Sequence, residues 1–315
     1  MTATDSSLPV GTGGANGAQI FDQGYRRYEG VRTGFTGALR SLVVHSMRHA
    51  LGLGRSARFK VIPIAVIIFA YLPAVAFVGL AALLPEDLVA EGVLPTYASY
   101  YGYVVGAIYL FAAFVAPLLL CTDRRTSLLG VYLASPLNRP TYLLGKAIAT
   151  VLLLLIVTFG PPMLMLIAFS LESAGPSGFF NWIEVFIKIL FSSLTMGLMY
   201  SALALAVAAA TDRWVFATAA VILLLPGSAI VTDVLVWEAD LTPMLHLLNL
   251  PNLPRELIFR IHGEANQSFS SPSGTGSLWR QSENSTASLW LAWIGYLGVS
   301  IAFIWYRYRR LLVRR

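Results

Sequence analysis

The chain is poor in charged residues and in cysteine. Only 12% of its 315 residues are Asp, Glu, Lys or Arg, whereas 57% are hydrophobic. Soluble domains average roughly a quarter charged residues, so this composition excludes an ordinary soluble domain and predicts an integral membrane protein. Cys121 is the single cysteine. One thiol excludes an intramolecular disulfide framework and any metal site built from several thiolates.

Catalytic and nucleotide-binding motifs are also absent from the sequence. It contains no Gly-x-x-x-x-Gly-Lys-Ser/Thr phosphate loop, so the chain has no ATP site of that kind. It contains neither Gly-x-Ser-x-Gly nor His-Glu-x-x-His, the patterns of nucleophilic hydrolases and zinc peptidases. We therefore expect no enzymatic activity, metal or cofactor in this chain itself.

Six apolar runs are each near the roughly 20 residues that a helix needs to cross a bilayer. They cover residues 61–84, 97–122, 147–171, 189–210, 214–232 and 287–306. The predicted fold class is therefore an all-α integral membrane protein with six transmembrane helices in a domain spanning residues 61–306.

Basic residues are concentrated in alternate connections between these runs. If both termini lie inside, the inner segments contain 18 of the 22 Lys and Arg residues but only 5 of the 16 acidic residues. Short loops rich in Lys and Arg are retained in the cytoplasm, so we expect both termini to be cytoplasmic. The net charge of +6 does not indicate nucleic-acid binding, because the basic residues are sorted by membrane side.

The two ends of the chain differ from the spans. Residues 1–34 are rich in Gly, Ser and Thr and have no apolar period, which predicts a disordered cytoplasmic leader. Within it, segment 20–30 combines aromatic and basic side chains, which suits either a tail attracted to lipid or an arm lying on a partner. Residues 35–60 repeat apolar side chains at three- and four-residue steps, which predicts an amphipathic helix in the membrane interface. Residues 307–315 form a basic cytoplasmic tail.

Segment 123–146 connects the second and third spans and contains four basic residues. Pro136 disfavours helical geometry at the residue before it, so a short helix should end there. Four apolar side chains lie on one stripe of that helix, at i, i+1, i+4 and i+5: Leu128, Leu129, Tyr132 and Leu133. The stripe either rests on lipid headgroups or binds a soluble partner.

The order of residues in this segment resembles the signature loop of permease subunits of bacterial type-2 ATP-binding-cassette exporters. The matching parts are Asp-Arg-Arg at 123–125, Leu-Leu-Gly-Val-Tyr-Leu-Ala-Ser-Pro-Leu-x-Arg at 128–139 and Thr-Tyr-Leu-Leu-Gly-Lys at 141–146. Many members have Glu shortly after the Asp, where this chain has Thr126 and Ser127. The resemblance implies a coupling helix that sits in a cleft of a cytoplasmic ATPase. It assigns ATPase coupling to Asp123, Arg124, Arg125, Leu128, Leu129, Tyr132, Leu133, Pro136 and Arg139.

The resemblance implies the rest of the assembly as well. Residues 35–60 become an elbow helix, and the outer loop 236–285 contains re-entrant helices. The chain pairs with an identical or related permease and with two ATPase subunits, which hold ATP and Mg, in the bacterial inner membrane. Export follows alternating access. The second and fifth spans line the path in this family, which makes Tyr109, Phe114 and Pro226 candidates for contact with the cargo.

Ionisable residues are nearly absent from the predicted spans, where only Lys188 and Asp233 come close. Ion-coupled transporters keep such residues at membrane depth, so we expect transport driven by ATP, with an apolar or amphiphilic cargo such as a drug, lipid, peptide or polymer. The alternative is a membrane-embedded lipid-modifying enzyme with its site on the outer loop. Its candidate residues are His246, His262, Glu256 and Glu264, which we otherwise interpret as polar surface residues.

Overall fold

The computed structural model describes residues 34–54, 57–84, 94–126, 128, 130, 132, 137–172, 174–239, 241–264 and 284–311. Helices account for 87% of these residues, and this part of the chain contains no strand. The predicted leader, up to residue 33, and the end of the basic tail, from residue 312, lie outside the described residues.

The α-helices in these ranges are numbered in chain order. They are α1 (Gly34–Ala50), α2 (Ala57–Leu83), α3 (Tyr97–Arg125), α4 (Arg139–Thr158), α5 (Gly160–Leu171), α6 (Phe179–Ala210), α7 (Trp214–Asp233), α8 (Asn252–His262) and α9 (Thr286–Leu311). A π-helical turn, Val234–Glu238, continues α7, and a 3-10 helix, Pro243–Leu248, precedes α8.

Six helical segments are long and apolar enough to cross a membrane, which confirms the prediction of a multi-pass membrane protein. They are Lys60–Leu83, Tyr97–Arg125, Arg139–Leu171, Phe179–Ala210, Trp214–Val236 and Thr286–Arg310. The third begins at residue 139 rather than 147, and the fourth at 179 rather than 189. The sequence predicts shorter spans, because charged residues such as Arg139, Lys146 and Glu184 interrupt the apolar runs near the starts of these helices.

The centre of the bundle is formed by α3 and α6. In each of these two helices, 67% of the most apolar 18-residue stretch is buried, whereas the corresponding share is 22% for α2 and for α7 and 11% for α9. Hydroxyl groups link these helices to each other and to α4. The hydroxyl oxygens of Tyr101 on α3 and Ser193 on α6 are 2.8 Å apart, and the Ser193 hydroxyl donates to the carbonyl of Thr158 on α4 at 3.0 Å. The outer helices α2, α7 and α9 therefore supply most of the apolar perimeter.

The third span is broken into α4 and α5 immediately before Pro161-Pro162, a pair that by itself predicts a kink in the sequence. A proline inside a helix removes a backbone donor and crowds the preceding turn. Tyr71 of α2 donates to the carbonyl of Ile156 at 3.1 Å, in the last turn of α4. A Cβ at Gly160 would lie 1.9 Å from the Tyr71 hydroxyl, so a larger residue there would displace Tyr71 from this contact.

Two shorter helices pack on the bundle. Helix α1 lies against α4, where Leu42 approaches Gly145 so closely that a Cβ there would be 2.7 Å from a Leu42 methyl. Helix α8 contacts α3, α6 and α9, and every residue from Asn252 to Phe259 is buried. The burial of Glu256 on α8 differs from the surface position that the sequence suggested for this residue.

Candidate functional site

Much of segment 123–146 is helical in the structure. Asp123, Arg124 and Arg125 form the last turn of α3, and α4 begins at Arg139, so the connection is residues 126–138. Within it Leu128, Gly130 and Tyr132 are helical. Three of the predicted coupling residues lie outside the described residues: Leu129, Leu133 and Pro136.

Asp123 and Lys146 form a buried ion pair between the end of α3 and the start of α4. The Lys146 ammonium lies 2.7 Å from Oδ2 of Asp123, and the two side chains are 3% and 7% exposed. The hydroxyl of Tyr142 donates to the same carboxylate oxygen at 2.8 Å. Buried charges are tolerated only when they are paired and hydrogen-bonded, so this pair fixes how the two helix ends meet.

Three tyrosine rings surround this ion pair. The rings of Tyr132 and Tyr142 are 5.7 Å apart, and those of Tyr142 and Tyr308 are 6.3 Å apart. The Lys146 ammonium lies 5.6 Å from the Tyr132 ring centre and 5.7 Å from that of Tyr142, within reach of a cation–π interaction. Tyr132 thus joins the connection 126–138 to α4, and Tyr142 in turn joins α4 to α9.

Arg124 is bound to this chain rather than presented to a partner. Its guanidinium donates to the carbonyls of Ala208, Ala209 and Thr211, and Nη1 lies 3.2 Å from Asp212 Oδ1. The side chain is 6% exposed. The last carbonyls of a helix lack partners within that helix and carry partial negative charge, so Arg124 caps the end of α6.

Arg307 of α9 reinforces the same cap. Its Nη2 donates to the carbonyl of Ala210 at 2.9 Å, and its Nε donates to that of Ala209 at 3.4 Å. The Arg124 guanidinium also lies 5.7 Å from the ring of Tyr308. The ends of α3, α6 and α9 are therefore linked through two guanidinium groups, a set of contacts that the sequence analysis did not predict.

Only some of the predicted coupling residues remain available to a partner. Arg125, Leu128 and Arg139 are exposed, Leu128 by 37%, whereas Tyr132 is half-buried. Asp123 and Arg124 instead hold the helix ends in place. The exposed face of the connection and the buried ion pair thus meet at Tyr132.

The predicted path residues lie at different places. Phe114 lines a cavity of about 680 Å³ between α1, α2, α3 and the start of α7. The ring of Tyr109, near the middle of α3, makes an edge-to-face contact with that of Tyr200, 5.6 Å away. Pro226 lies within α7 and is half-buried. The structure therefore does not gather the three around one site.

A buried polar group on α8 was missed by the sequence analysis. Arg255 and Glu256 are 3% and 6% exposed, and the Arg255 guanidinium donates to Oδ1 of Asn252 at 3.1 Å. Tyr200 donates to the carbonyl of Pro251 at 3.1 Å, which anchors the start of α8 on α6. The sequence placed both charges in an outer loop, where periodicity gives no signal of burial. Charged residues packed among the spans are thus more numerous than predicted.

The four residues of the enzyme alternative do not form a surface cluster. His246, like Glu256, is buried, at 5% exposure. Burial, with a smaller effect of Lys188, lowers the pKa of His262 to about 4. Burial raises the pKa of Glu264, although the Thr96 hydroxyl donates to its carboxylate at 2.7 Å. Among the residues that the structure describes, no three His, Cys, Asp or Glu side chains are placed to hold a metal ion.

No protein-family model matches this chain, and no curated protein is similar to it at a significant level. The site must therefore be interpreted from its own geometry and from the residues of segment 123–146.

Proposed function

We propose that this chain is the membrane-spanning permease subunit of an ATP-driven exporter of the type-2 ATP-binding-cassette class. The chain would span the bacterial inner membrane with both termini in the cytoplasm and pair with a second copy or a related permease. Cytoplasmic ATPase subunits would hold ATP and Mg and perform hydrolysis. The cargo class is apolar or amphiphilic, in keeping with the apolar walls of the cavity that Phe114 lines.

One observation carries this proposal: the position of Tyr132. Its ring packs against Tyr142, and the Lys146 ammonium lies 5.6 Å from its centre. On the same short connection Leu128 is exposed. A partner bound to the exposed face could therefore move Tyr132, and with it the ion pair that holds α3 and α4 together.

The contacts around Arg124 would extend this motion to the rest of the bundle. Arg124 joins α3 to the end of α6, and Tyr308 brings α9 into the same cluster. Because tightly packed helices shift as units rather than deform continuously, a displacement of connection 126–138 would be passed to four spans. This is the mechanical requirement of alternating access driven from one membrane face.

Two further features fit the proposed class. Helix α1 lies against α4 next to the first span, as an elbow helix would, and its buried stripe includes Leu42, Ser46 and Ala50. Helix α8 packs among α3, α6 and α9, as a re-entrant helix would. We assign these roles as part of the proposal.

The decisive experiment tests docking through connection 126–138. We expect Tyr132→Ala combined with Leu133→Ala to weaken capture of the partner ATPase by the solubilised permease and to lower cargo-stimulated ATP hydrolysis. Burying one such apolar side chain contributes roughly 1.5–3 kcal/mol, and aromatic residues are common anchors at interfaces.

The matched control removes the same side-chain types from the apolar perimeter. Tyr306 and Leu144 are 49% and 52% exposed, and Tyr306→Ala with Leu144→Ala should leave ATPase capture unchanged. Capture and stimulation equal to the parent in the Tyr132 and Leu133 variant would refute the coupling role.

A second experiment tests the energy source. Export should stop when the catalytic residues of the partner ATPase are disabled, and it should continue when the proton gradient is collapsed while ATP is maintained. This test matters because Arg255 and Glu256 are charged groups buried among the spans, where ion-coupled transporters keep their carriers. Loss of export on uncoupling alone, at unchanged ATP, would contradict an ATP-driven mechanism.

A further inference from the structure

A groove of about 680 Å³ runs between α1, α2, α3 and the start of α7. We call it the α2–α3 groove. Most of its wall is apolar and is formed by Ile62, Pro63, Val66, Phe111, Phe114, Val115 and Leu118. Polar side chains line it only toward one end of α3, where Thr122, Arg125, Thr126 and Asp212 are found. The groove therefore has an apolar body and a polar mouth.

The mouth continues into a second cavity of about 580 Å³ that shares Arg125, Asp212 and Trp214 with the groove and adds Arg124 and Arg213. Three guanidinium groups thus face one carboxylate. Arg124 already binds Asp212 at 3.2 Å and the carbonyls at the end of α6, so the excess positive charge resides on the other two arginines.

Arg125 and Arg213 are both exposed. Arg213 lies over the ring of Phe216, with its guanidinium carbon 5.8 Å from the ring centre. Neither side chain forms an ion pair with a residue in the described part of the chain. The mouth is therefore suited to binding an anionic group of another molecule.

From its apolar end at Phe111 to its mouth at Thr122, the groove has the length of one bilayer leaflet. Phe111 and Thr122 are eleven residues apart on α3, which corresponds to about 16 Å at a rise of about 1.5 Å per residue. Half of a hydrocarbon core of roughly 30 Å is about 15 Å. One acyl chain with its headgroup at the mouth would thus fill the groove lengthwise.

The groove lies at the perimeter of the bundle. Ile62 and Trp214 on its rim are 44% and 39% exposed, and α2 and α7 are among the least buried spans. Tryptophan is enriched at the level of lipid headgroups, which places Trp214 and the mouth at the membrane surface. A lipid could therefore enter the groove sideways from the bilayer.

We infer that the α2–α3 groove binds an anionic phospholipid of the leaflet at the Arg125 end. One acyl chain lies along Phe111, Phe114 and Leu118, and the phosphate is held between Arg125 and Arg213. The charge sorting of the sequence predicts that this end faces the cytoplasm, where anionic lipids and basic pockets between helices meet. The groove is the cavity that Phe114 lines and that the proposed function relates to the cargo, but binding of this lipid requires no ATPase partner.

The test uses the full chain in nanodiscs and native mass spectrometry after detergent transfer. Phosphatidylglycerol should remain bound to the parent protein, and phosphatidylcholine should be lost. Arg125→Gln with Arg213→Gln should lower the apparent affinity for phosphatidylglycerol about thirtyfold, the effect of removing two basic contacts to an anionic headgroup. The control is Arg139→Gln with Arg309→Gln, which removes the same charge from exposed positions outside the groove lining and should retain the lipid.

A second variant tests the apolar body. Leu118→Trp fills the groove and should abolish retention of the lipid, whereas Leu110→Trp, at a position 39% exposed on the same helix, should not. Size-exclusion profiles and melting temperatures equal to those of the parent show that each variant is folded. Equal retention of both lipids by the parent, or equal loss from groove and control variants, would overturn the inference. So would a dimer that dissociates on Leu118→Trp with lipid retention unchanged, since the groove would then be an interface between copies.

Discussion

The ammonium of Lys146 lies 2.7 Å from a carboxylate oxygen of Asp123, and both side chains are almost completely buried. Asp123 lies in the last turn of the second span and Lys146 lies near the start of the third, so their pairing defines the geometry of the loop between the two spans. Tyr142 supplies a hydrogen bond of 2.8 Å to the same oxygen. Removing one member of such a pair leaves an uncompensated buried charge.

We expect Asp123→Asn to destabilise the protein by about 3–5 kcal/mol, since an amide keeps an acceptor for Tyr142 but leaves the Lys146 ammonium unpaired. Adding Lys146→Met should restore much of that loss, because no unpaired buried charge remains. Thermal unfolding of the detergent-solubilised protein measures both effects. Equal melting temperatures for the single and double variants would contradict this account.

The exposed ion pair of α6 provides the control for that experiment. The ammonium of Lys188 lies 2.7 Å from a carboxylate oxygen of Glu184, but the two side chains are 30% and 60% exposed, respectively. Surface ion pairs contribute little to stability because water screens them. Glu184→Gln should therefore leave the melting temperature almost unchanged.

Arg124 and Arg307 should differ in their contribution to the end of α6. Arg124→Met leaves several carbonyls of α6 without a donor and should cost about 3 kcal/mol, since one unsatisfied buried acceptor costs roughly 1–3 kcal/mol. Arg307→Met removes only the hydrogen bonds to the carbonyls of Ala209 and Ala210 and should cost about 1 kcal/mol. Hydrogen exchange across residues 205–213 should accelerate more in the Arg124 variant. The reverse order would show that Arg307 is the main cap.

His262 should make stability depend on pH in the acidic range. Burial lowers its pKa from 6.5 to about 4, so the folded protein favours the neutral imidazole. The stabilisation is present above pH 6.5 and is lost as the pH falls toward 4, where the unfolded chain binds the proton more readily. Melting temperatures between pH 7 and pH 4 should fall less steeply for His262→Gln than for the parent. Parallel curves would exclude this histidine as the cause.

The topology can be tested by labelling in whole cells. In a Cys121→Ala background, a cysteine replacing Ser273 should react with an impermeant thiol reagent, and one replacing Ser127 should react only after the membrane is permeabilised. The basis is the excess of Lys and Arg in the segments assigned inside. Labelling at position 127 in intact cells would contradict the predicted six-span topology.

The sequence by itself determined the membrane class and the six spans, because a bilayer requires runs of about 20 apolar residues and composition reveals them directly. It also indicated the break at Pro161-Pro162, which follows from the missing backbone donor of proline. The orientation of the chain in the membrane remains a prediction that rests on the sorting of charges. Its assignment to the exporter family remains a prediction that rests on segment 123–146.

Only the tertiary structure decided where the charged residues act. Asp123, Arg124 and Lys146 look like loop charges in a linear sequence, yet packing of α3, α4, α6 and α9 buries them in mutual contacts. Arg255 likewise looks like a surface residue of an outer loop, although α8 carries it among the spans. Hydrophobicity is a property of each residue and can be read along the chain. The partner that makes a buried charge tolerable comes from another helix, and it appears only once the helices are packed together.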